Sequence, residues 1–266
     1  EAAGQAVADI IAAGLVPGLL MGLTLMVMIT WLSRRRGYKR DARFSVSVLG
    51  KTFSRAFLSL LTPVIIVGGI VTGAFTPTEA AIAAVVYALI LGGLVYRTLT
   101  WRRLLKVSME TIETTAVILF IVAGASIFAW ILTSNQVTQH VMGLLGPFQD
   151  NPIVVLLIIN LVLIVVGCFM ETIAAITILV PVLLPVAVAS GVDPVHFGVI
   201  MVLNLMIGLL TPPVGMVLYV LSRVSHISFE KCMRGTLPFL IPLVVALLLV
   251  TFIPAISLWL PTLVYR

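Results

Sequence analysis

The sequence predicts an all-α, polytopic membrane protein, and three observations support that prediction. Hydrophobic residues make up 61% of the 266 residues and charged residues only 10%, whereas soluble domains carry about a quarter charged residues. Apolar runs long enough to cross a bilayer recur along the chain. Of the sixteen Lys and Arg residues, eight lie in 34–55, four in 97–106 and three in 223–234. Such bands of positive charge follow the positive-inside pattern and argue against a nucleic-acid-binding surface.

The apolar runs predict about six transmembrane spans. A helix needs about 20 apolar residues to cross roughly 30 Å of hydrocarbon. One span begins as an amphipathic segment at 101–115, which is expected to start in the membrane interface. Residues 34–55 are expected to be a cytoplasmic basic loop with an interfacial segment. Outside the stretch 152–223, the candidate spans cover residues 10–33, 56–72, 78–96, 107–133 and 236–260.

Residues 152–190 are predicted to form a re-entrant helical hairpin. If the three basic bands are all cytoplasmic, an odd number of crossings must separate residue 152 from residue 223, and residues 195–222 supply one. The stretch 152–190 must then supply an even number. Its first arm, 153–166, corresponds to about 21 Å of helix, which is too short to cross comfortably. Two short, tilted spans with a cytoplasmic turn are the alternative.

Residues 195–222 are predicted to be a helix that is broken in the middle. The sequence Gly208-Leu-Leu-Thr-Pro212-Pro213-Val-Gly215 places two consecutive prolines there. Each proline removes an amide donor and disfavours helical backbone in the residue before it. Carbonyl oxygens near 208–211 are therefore expected to lose their helical hydrogen bonds. The half-helix that follows would present amides and a positive dipole to an anion.

The hairpin tip and the helix break together form a candidate ion and substrate site. Carbonyl oxygens and the Thr211 hydroxyl are hard ligands suited to Na⁺, and the tip offers similar groups. Glu171 either carries a charge into the membrane or caps the helix that starts at the tip. For Thr211 the alternative to ion coordination is a hydrogen bond that bends the helix. The site candidates are Gly167, Glu171, Thr172, Asn204, Gly208, Thr211, Pro212 and Gly215, with Gly167, Thr172 and Thr211 as the expected sodium ligands.

Three other features have more ordinary interpretations. Asn204 precedes Thr211 by two helical turns and reaches either the same cavity or a neighbouring helix. Thr76 and Glu79 match a capping box at the start of a helix that opens with proline. His196 follows Asp-Pro at a helix start and is expected at the membrane interface rather than in a proton relay.

The sequence also argues against several chemistries. Cys168 and Cys232 fall far apart in the predicted topology, so no disulfide is expected, and neither has metal-ligand spacing. No Walker loop, HExxH or GxSxG motif is present, so ATP hydrolysis and these hydrolase mechanisms are not expected. There is no arginine run of the voltage-sensor type and no TVGYG filter. We therefore expect neither an enzyme nor a voltage-gated potassium channel.

Three segments resemble the large membrane subunit of TRAP transporters, the DctM type. The most specific is METIAAITILVPVLLPVAVASGVDPVHFGVIMVLNLMIGLLTPPVGMVLYVLS (170–222), in which DPVHFG precedes GLLTPPVG. The others are PVIIVGGIVTGAFTPTEAAIAAVVYALI (63–90) and GTLPFLIPLVVALLLVTFIPAISLWLP (235–261). The resemblance covers nearly the whole chain and corresponds to the C-terminal half of that subunit.

This resemblance implies a role in tripartite, ATP-independent import in bacteria or archaea. In the family a sodium gradient drives uptake of a carboxylate, such as a C4-dicarboxylate or a sialic acid, and a periplasmic binding protein delivers it. No cofactor is implied beyond Na⁺ as coupling ion. A small four-helix membrane subunit packs beside the large one in the inner membrane. The large subunit is expected to move as an elevator, with 56–133 as scaffold-type helices and 152–223 as the transport-type hairpin and broken helix.

The resemblance also implies that half of the large subunit lies outside this chain. Residues 1–33 resemble the last helix that follows the family's first broken helix, so the N-terminal half is expected elsewhere. We therefore expect that this chain alone does not transport. Two alternatives remain. One is another sodium-coupled dicarboxylate symporter or ion transporter of similar architecture, and the other is a structural membrane subunit whose residues 167–172 and 208–215 are continuous helix.

Overall fold

The computed structural model describes residues 2–37, 45–145 and 151–265, and the regular secondary structure within these ranges is helical throughout. A π-helical turn, Leu91–Val95, extends the third helix. Six helical segments of this described part are long and apolar enough to cross a membrane, which confirms the predicted all-α, polytopic membrane class. The α-helices are α1 (Ala2–Arg35), α2 (Val46–Val71), α3 (Pro77–Ile90), α4 (Trp101–Ser134), α5 (Val137–Leu145), α6 (Pro152–Phe169), α7 (Thr172–Ala189), α8 (Pro194–Gly208), α9 (Met216–Ser225), α10 (Phe229–Phe252) and α11 (Ala255–Tyr265).

The helices form two compact units. The first contains both ends of α1, all of α2 and α3, and α4 as far as Thr115. The second contains the middle of α1, the rest of α4, and the helices from α5 to α11. The predicted hairpin and broken helix therefore belong to one unit, together with the C-terminal helices.

The first unit is built on the antiparallel pair α2 and α3. The Tyr87 hydroxyl donates to the Leu58 carbonyl at 2.8 Å, and the Ser59 and Tyr96 hydroxyls lie 3.3 Å apart. Helix α2 bends by 63° between Val46–Ser54 and Ala56–Val71. The segment 34–55, expected to be a loop with an interfacial part, is therefore helical from Val46 onward, while residues 38–44 lie outside the described ranges.

The start of α3 is the predicted capping box. The Thr76 hydroxyl accepts from the Glu79 amide at 3.3 Å, and the Glu79 carboxylate accepts from the Thr76 amide at 2.8 Å. Pro77 occupies the first turn, where its missing amide leaves no helical hydrogen bond unmade. Both orphan donors at the entrance to the helix are thus satisfied by local side chains.

We expect the Thr76→Ala variant to destabilise α3 by about 1 kcal/mol, because the Glu79 amide loses its capping acceptor. Thr76→Ser retains the hydroxyl and should preserve stability. Thr78→Ala, two residues away and outside the box, is the matched control. Thermal unfolding of the purified protein in detergent measures the difference, and equal midpoints for Thr76→Ala and Thr78→Ala would reject this role.

The core of the second unit lies where α6, α7, α8 and α10 pack together. Apolar residues spaced by about one helical turn line the buried face of each helix. Buried members of this core include Val155, Ile159 and Leu163 on α6, Val182 and Val186 on α7, Phe197, Met201 and Leu205 on α8, and Leu243, Leu247 and Val250 on α10.

The two hairpin arms are longer than the sequence indicates. Helix α6 has 18 residues and continues through Gly167 to Phe169, and α7 also has 18 residues. Each arm is therefore about 27 Å long, enough for a tilted span. The first arm is therefore not too short to cross, because Gly167 is compatible with a helix and does not end α6. Charge parity is satisfied both by a re-entrant hairpin and by two tilted spans, so the re-entrant hairpin stays a prediction.

The C-terminal segment also differs from the single helix expected over 236–260. Helix α10 begins at Phe229 and ends at Phe252, and a separate helix α11 begins at Ala255. Ile253 adopts φ −119° and ψ 84°, because the following Pro254 disfavours helical backbone at the residue before it. The break changes the direction of the chain shortly before its last helix.

Candidate functional site

The hairpin turns over two residues, Met170 and Glu171, between α6 and α7. Glu171 is the N-cap of α7, where its carboxylate accepts from the Ile173 amide at 2.8 Å and from the Ala174 amide at 3.1 Å. Of the two roles open for Glu171, the structure places the side chain in the capping position. The carboxylate satisfies orphan amides and its charge complements the positive end of the helix.

Thr172, the first residue of α7, has a side chain without a hydrogen-bond partner in the described part of the chain. Its Oγ1 atom is buried from solvent and makes no hydrogen bond there. An unpaired buried hydroxyl costs free energy, because it has lost its hydrogen bonds to water and no protein group replaces them. Such an atom is a natural position for a ligand that supplies the missing partner.

The predicted helix break is present between α8 and α9. Helix α8 ends at Gly208 and α9 begins at Met216. The Thr211 amide donates to the Gly208 carbonyl at 2.8 Å, and the Val217 amide donates to the Leu209 carbonyl at 3.3 Å. Within the described ranges, no N–H or hydroxyl donates to the carbonyl oxygens of Leu210 or Thr211. The free carbonyls thus fall in the later half of the predicted 208–211, because the Gly208 and Leu209 carbonyls accept from the Thr211 and Val217 amides.

A contact between two glycines joins the hairpin to the break. A Cβ atom built on Gly208 would lie 2.7 Å from both the Cα and the carbonyl carbon of Gly167. A Cβ atom on Gly167 would lie 3.2 Å from the Cα of Gly208 and 3.3 Å from the Leu205 carbonyl oxygen. The backbones approach this closely only because neither residue has a side chain. The contact brings the end of α6 to the end of α8.

Three further candidates lie at the break. The Thr211 hydroxyl donates to the Ile207 carbonyl at 2.8 Å, as in the helix-bending alternative, and its oxygen keeps lone pairs that can still bind an ion. Gly215 adopts φ +54° and ψ 69° at the start of α9, a left-handed conformation that glycine adopts readily. Pro212 lies between them, where its missing amide prevents the helix from continuing.

Asn204 makes an interhelical hydrogen bond rather than contributing to an open cavity. Its amide nitrogen donates to the backbone carbonyl of Asn160 at 3.0 Å and to the side-chain oxygen of Asn160 at 2.6 Å. Asn204 is fully buried. Its own Oδ1 atom has no partner among the described residues.

Buried polar residues that were not predicted from the sequence lie on the far side of this pair. Asn160 is the single polar residue in the α6 run from Ile153 to Val166, and that isolation was a signal of its role. Its amide donates to the Thr251 hydroxyl at 3.1 Å. His196, expected at the interface, is 2% exposed. The Ser257 hydroxyl, which follows the break after α10, lies 2.6 Å from the imidazole, so His196 is enclosed by protein and its position at the membrane interface stays a prediction.

These facts bear on the alternative of a membrane subunit without a site. That alternative requires continuous helix through 167–172 and 208–215. The structure breaks the helix at Met170–Glu171 and again over Leu209–Gly215, so this requirement is not met. Cys168 and Cys232 are both free thiols.

The chain was compared with protein-family models and with curated proteins. The model "Tripartite ATP-independent periplasmic transporter, DctM component" matches residues 2–256. The chain is 50% identical over 251 residues to the sialic acid TRAP transporter large permease protein SiaM of Vibrio cholerae, covering 94% of this chain and 59% of that protein. It is 43% identical over 249 residues to the C4-dicarboxylate TRAP transporter large permease protein DctM of Pseudomonas aeruginosa, covering 94% of this chain and 58% of that protein.

A third relative is named for a different substrate. The chain is 36% identical over 251 residues to the 2,3-diketo-L-gulonate TRAP transporter large permease protein YiaN of Escherichia coli, covering 94% of this chain and 59% of that protein. The chain thus spans less than two thirds of the length of these relatives. A family model that matches most of the chain and relatives at this level of identity lead to one conclusion: the chain belongs to the DctM family of tripartite ATP-independent periplasmic transporter components, a family of multi-pass membrane transport proteins and not of enzymes.

Proposed function

We propose that this chain forms one half of the ion and substrate pathway of a sodium-gradient-driven TRAP importer of small organic carboxylates. The complete transporter comprises the rest of the large subunit, a small four-helix membrane subunit and a periplasmic binding protein in the bacterial or archaeal inner membrane. In this proposal residues 152–223 move relative to scaffold-type helices within 56–133, with the lipid bilayer as the surrounding solvent.

The observation that carries the proposal is the contact between Gly167 and Gly208. It supports a site because it joins the hairpin tip to the break between α8 and α9. Close to it in sequence are the unpaired Thr172 hydroxyl and the free carbonyls of Leu210 and Thr211. Neutral oxygen atoms on unwound backbone are the ligands that sodium-coupled transporters use at broken helices. We propose Na⁺ as the ion that these oxygens bind.

The substrate class follows from the relatives and from the second half-helix. The three relatives described above are named for acids: sialic acid, C4-dicarboxylate and 2,3-diketo-L-gulonate. Gly215 is the N-cap of α9 and supplies no side-chain cap, so no capping side chain occupies the positive end of this helix. We propose that a substrate carboxylate approaches this end of α9.

Alanine variants at Glu171 and Thr211 test the ion site. We expect each to reduce sodium-dependent uptake by the reconstituted complete transporter about fivefold or more, the effect of roughly 1 kcal/mol lost from a functional geometry. Glu171→Ala leaves the first amides of α7 uncapped, and Thr211→Ala removes a hydroxyl at the break. Uptake of radiolabelled carboxylate as a function of sodium concentration is the measurement.

Matched variants separate the possible causes. Glu171→Gln keeps an oxygen that can cap α7 but removes the charge, so normal uptake by this variant assigns the effect of Glu171→Ala to capping. Thr133→Ala removes a hydroxyl that donates to its own helix in α4, away from the break. If Glu171→Ala and Thr211→Ala both keep the wild-type sodium response, the site is elsewhere. If the complete wild-type transporter shows no sodium-dependent uptake, the proposed function itself is wrong.

A further inference from the structure

Five buried polar residues form a continuous hydrogen-bond network through the second unit. The network links α6 and α8 to the two C-terminal helices, and each of its members lies far in sequence from its interhelical partner. Its members are Asn204, Asn160, Thr251, His196 and Ser257, all less than 10% exposed. Buried polar side chains are uncommon in apolar helices and are retained where they bond to one another.

The direction of each hydrogen bond follows from the groups involved. The Asn204 amide donates to Asn160, and the Asn160 amide donates to the Thr251 hydroxyl. That hydroxyl donates in turn to the Leu247 carbonyl at 2.8 Å. The Thr251 hydroxyl therefore accepts one hydrogen bond and donates another, as a hydroxyl group can.

Thr251 also connects the hydrogen-bond network to His196 through its backbone carbonyl. The Nε2 atom of His196 lies 3.4 Å from the Thr251 carbonyl oxygen. The Nδ1 atom of the same imidazole lies 2.6 Å from the Ser257 hydroxyl, which also donates to the Pro254 carbonyl at 3.2 Å. The break at Pro254 allows this geometry, because it turns α11 so that Ser257 reaches the same imidazole as the end of α10.

The hydrogen-bond network lies next to the glycine contact along both α6 and α8. Asn204 precedes Gly208 on α8 by about one turn, and Asn160 precedes Gly167 on α6 by about two turns. The amide pair is thus a polar contact of α6 with α8 beside the point where their backbones touch. At the other end of α8, His196 is held by α10 and α11. Two points along α8 are therefore fixed by directional bonds, and apolar packing alone does not provide such directionality.

We propose that Asn160, Asn204, Thr251, His196 and Ser257 are positioning residues that fix the depth and rotation of α8 against α6 and α10. They act through the helix rather than by touching an ion or a substrate. By holding α8 in register, they keep Gly208 against Gly167 and thus keep the tip and the break together. This proposal rests on the proposed function for its consequence in transport, whereas its structural part can be measured separately.

Thr251 offers the sharpest test, because valine has its shape without the hydroxyl. We expect Thr251→Val to raise the sodium concentration for half-maximal uptake by the complete transporter roughly threefold, the factor that an average interhelical hydrogen bond in a membrane protein carries. Thr251→Ser retains the hydroxyl and should behave as wild type. Ser257→Ala, which removes the partner of His196 Nδ1, should shift the sodium response in the same direction.

A second measurement does not depend on sodium. Cys168 follows Gly167 directly and is 6% exposed, so its modification by a membrane-permeable maleimide reports on opening of the tip. In a transporter whose other cysteines are replaced by serine, Thr251→Val should speed this modification by a similar factor. Thr262→Val is the matched control, because among the described residues the Thr262 hydroxyl bonds only within α11, to Leu258 and Trp259.

The outcomes separate this proposal from the proposed function. If Thr251 has only a structural role, Thr251→Val lowers the thermal midpoint but leaves two values at wild type: the sodium concentration for half-maximal uptake and the rate of Cys168 modification. That result overturns the positioning role. Equal Cys168 rates for Thr251→Val and Thr262→Val also overturn it. If wild-type uptake proves independent of sodium, the proposed function fails while the Cys168 rates alone decide the positioning role.

Discussion

Replacing Gly208 with alanine is expected to abolish transport by the complete transporter, with uptake falling by roughly a hundredfold. The new Cβ atom would lie 2.7 Å from two backbone atoms of Gly167. Because those atoms belong to a helix and not to a flexible side chain, α6 and α8 must move apart. Inserting a methyl group into a packed interior costs about 1–3 kcal/mol, and the upper end of that range is roughly a hundredfold in an equilibrium constant.

Two other glycines make this prediction specific. Gly198 lies on the same helix, and a Cβ atom there meets nothing within 4 Å. Gly198→Ala should therefore transport normally. Gly167→Ala should show an intermediate loss, because its Cβ atom would lie 3.2 Å or more from its neighbours and a shift of a few tenths of an ångström relieves the contact. Uptake assays on equal amounts of folded protein rank the three variants. Equal uptake by Gly208→Ala and Gly198→Ala would contradict the importance of the glycine contact.

The second large effect is expected at Gly215, where uptake by Gly215→Ala should fall about tenfold or more. A residue with a side chain pays about 1–2 kcal/mol in the left-handed conformation that Gly215 adopts with φ +54°. In addition, the Cβ atom would lie 2.9 Å from the Leu218 Cδ1 atom, and Leu218 is fully buried. Helix α9 would then start in a different direction, which changes the position of its open N-terminus.

Gly191 provides the control for the backbone cost. It also has a positive φ, +82°, but a Cβ atom there meets nothing within 4 Å, and it lies at the opposite end of α7 from the hairpin tip. Gly191→Ala should lower the thermal midpoint while leaving the sodium dependence of uptake unchanged. Gly215→Asn should recover part of the lost uptake, because asparagine tolerates the left-handed region better than alanine. If Gly215→Ala lowers stability but leaves uptake at the level of Gly191→Ala, the conformation at Gly215 has no role in the site.

Much of the local structure was predictable because it depends on a few consecutive residues. The proline pair at 212–213 removes amides and restricts the preceding backbone, so it interrupts a helix in almost any surroundings. The capping box at Thr76 and Glu79 was predictable for the same reason, since both of its hydrogen bonds are formed within one turn. The membrane class follows from composition alone, because so little charge cannot cover a soluble surface.

The lengths of the helices were predicted less well. Gly167 suggested an early end to the first hairpin arm, but α6 continues to Phe169. A glycine lowers helix propensity by about 1 kcal/mol, and tertiary packing overrides a preference of that size. Pro254 had the opposite effect, since it divides the C-terminal segment that hydropathy alone suggested was one span.

By itself, the sequence determined that this protein is helical and membrane-embedded, that a proline pair interrupts one helix, and that its motifs resemble those of the DctM family. Only the tertiary structure decided that Gly167 meets Gly208, that Glu171 caps α7, and that Asn204 reaches Asn160 instead of an open cavity. The reason is physical. Helix breaks and caps arise from neighbouring residues, whereas close backbone contacts and buried hydrogen bonds depend on which helix faces meet, and segments far apart in the chain determine that together.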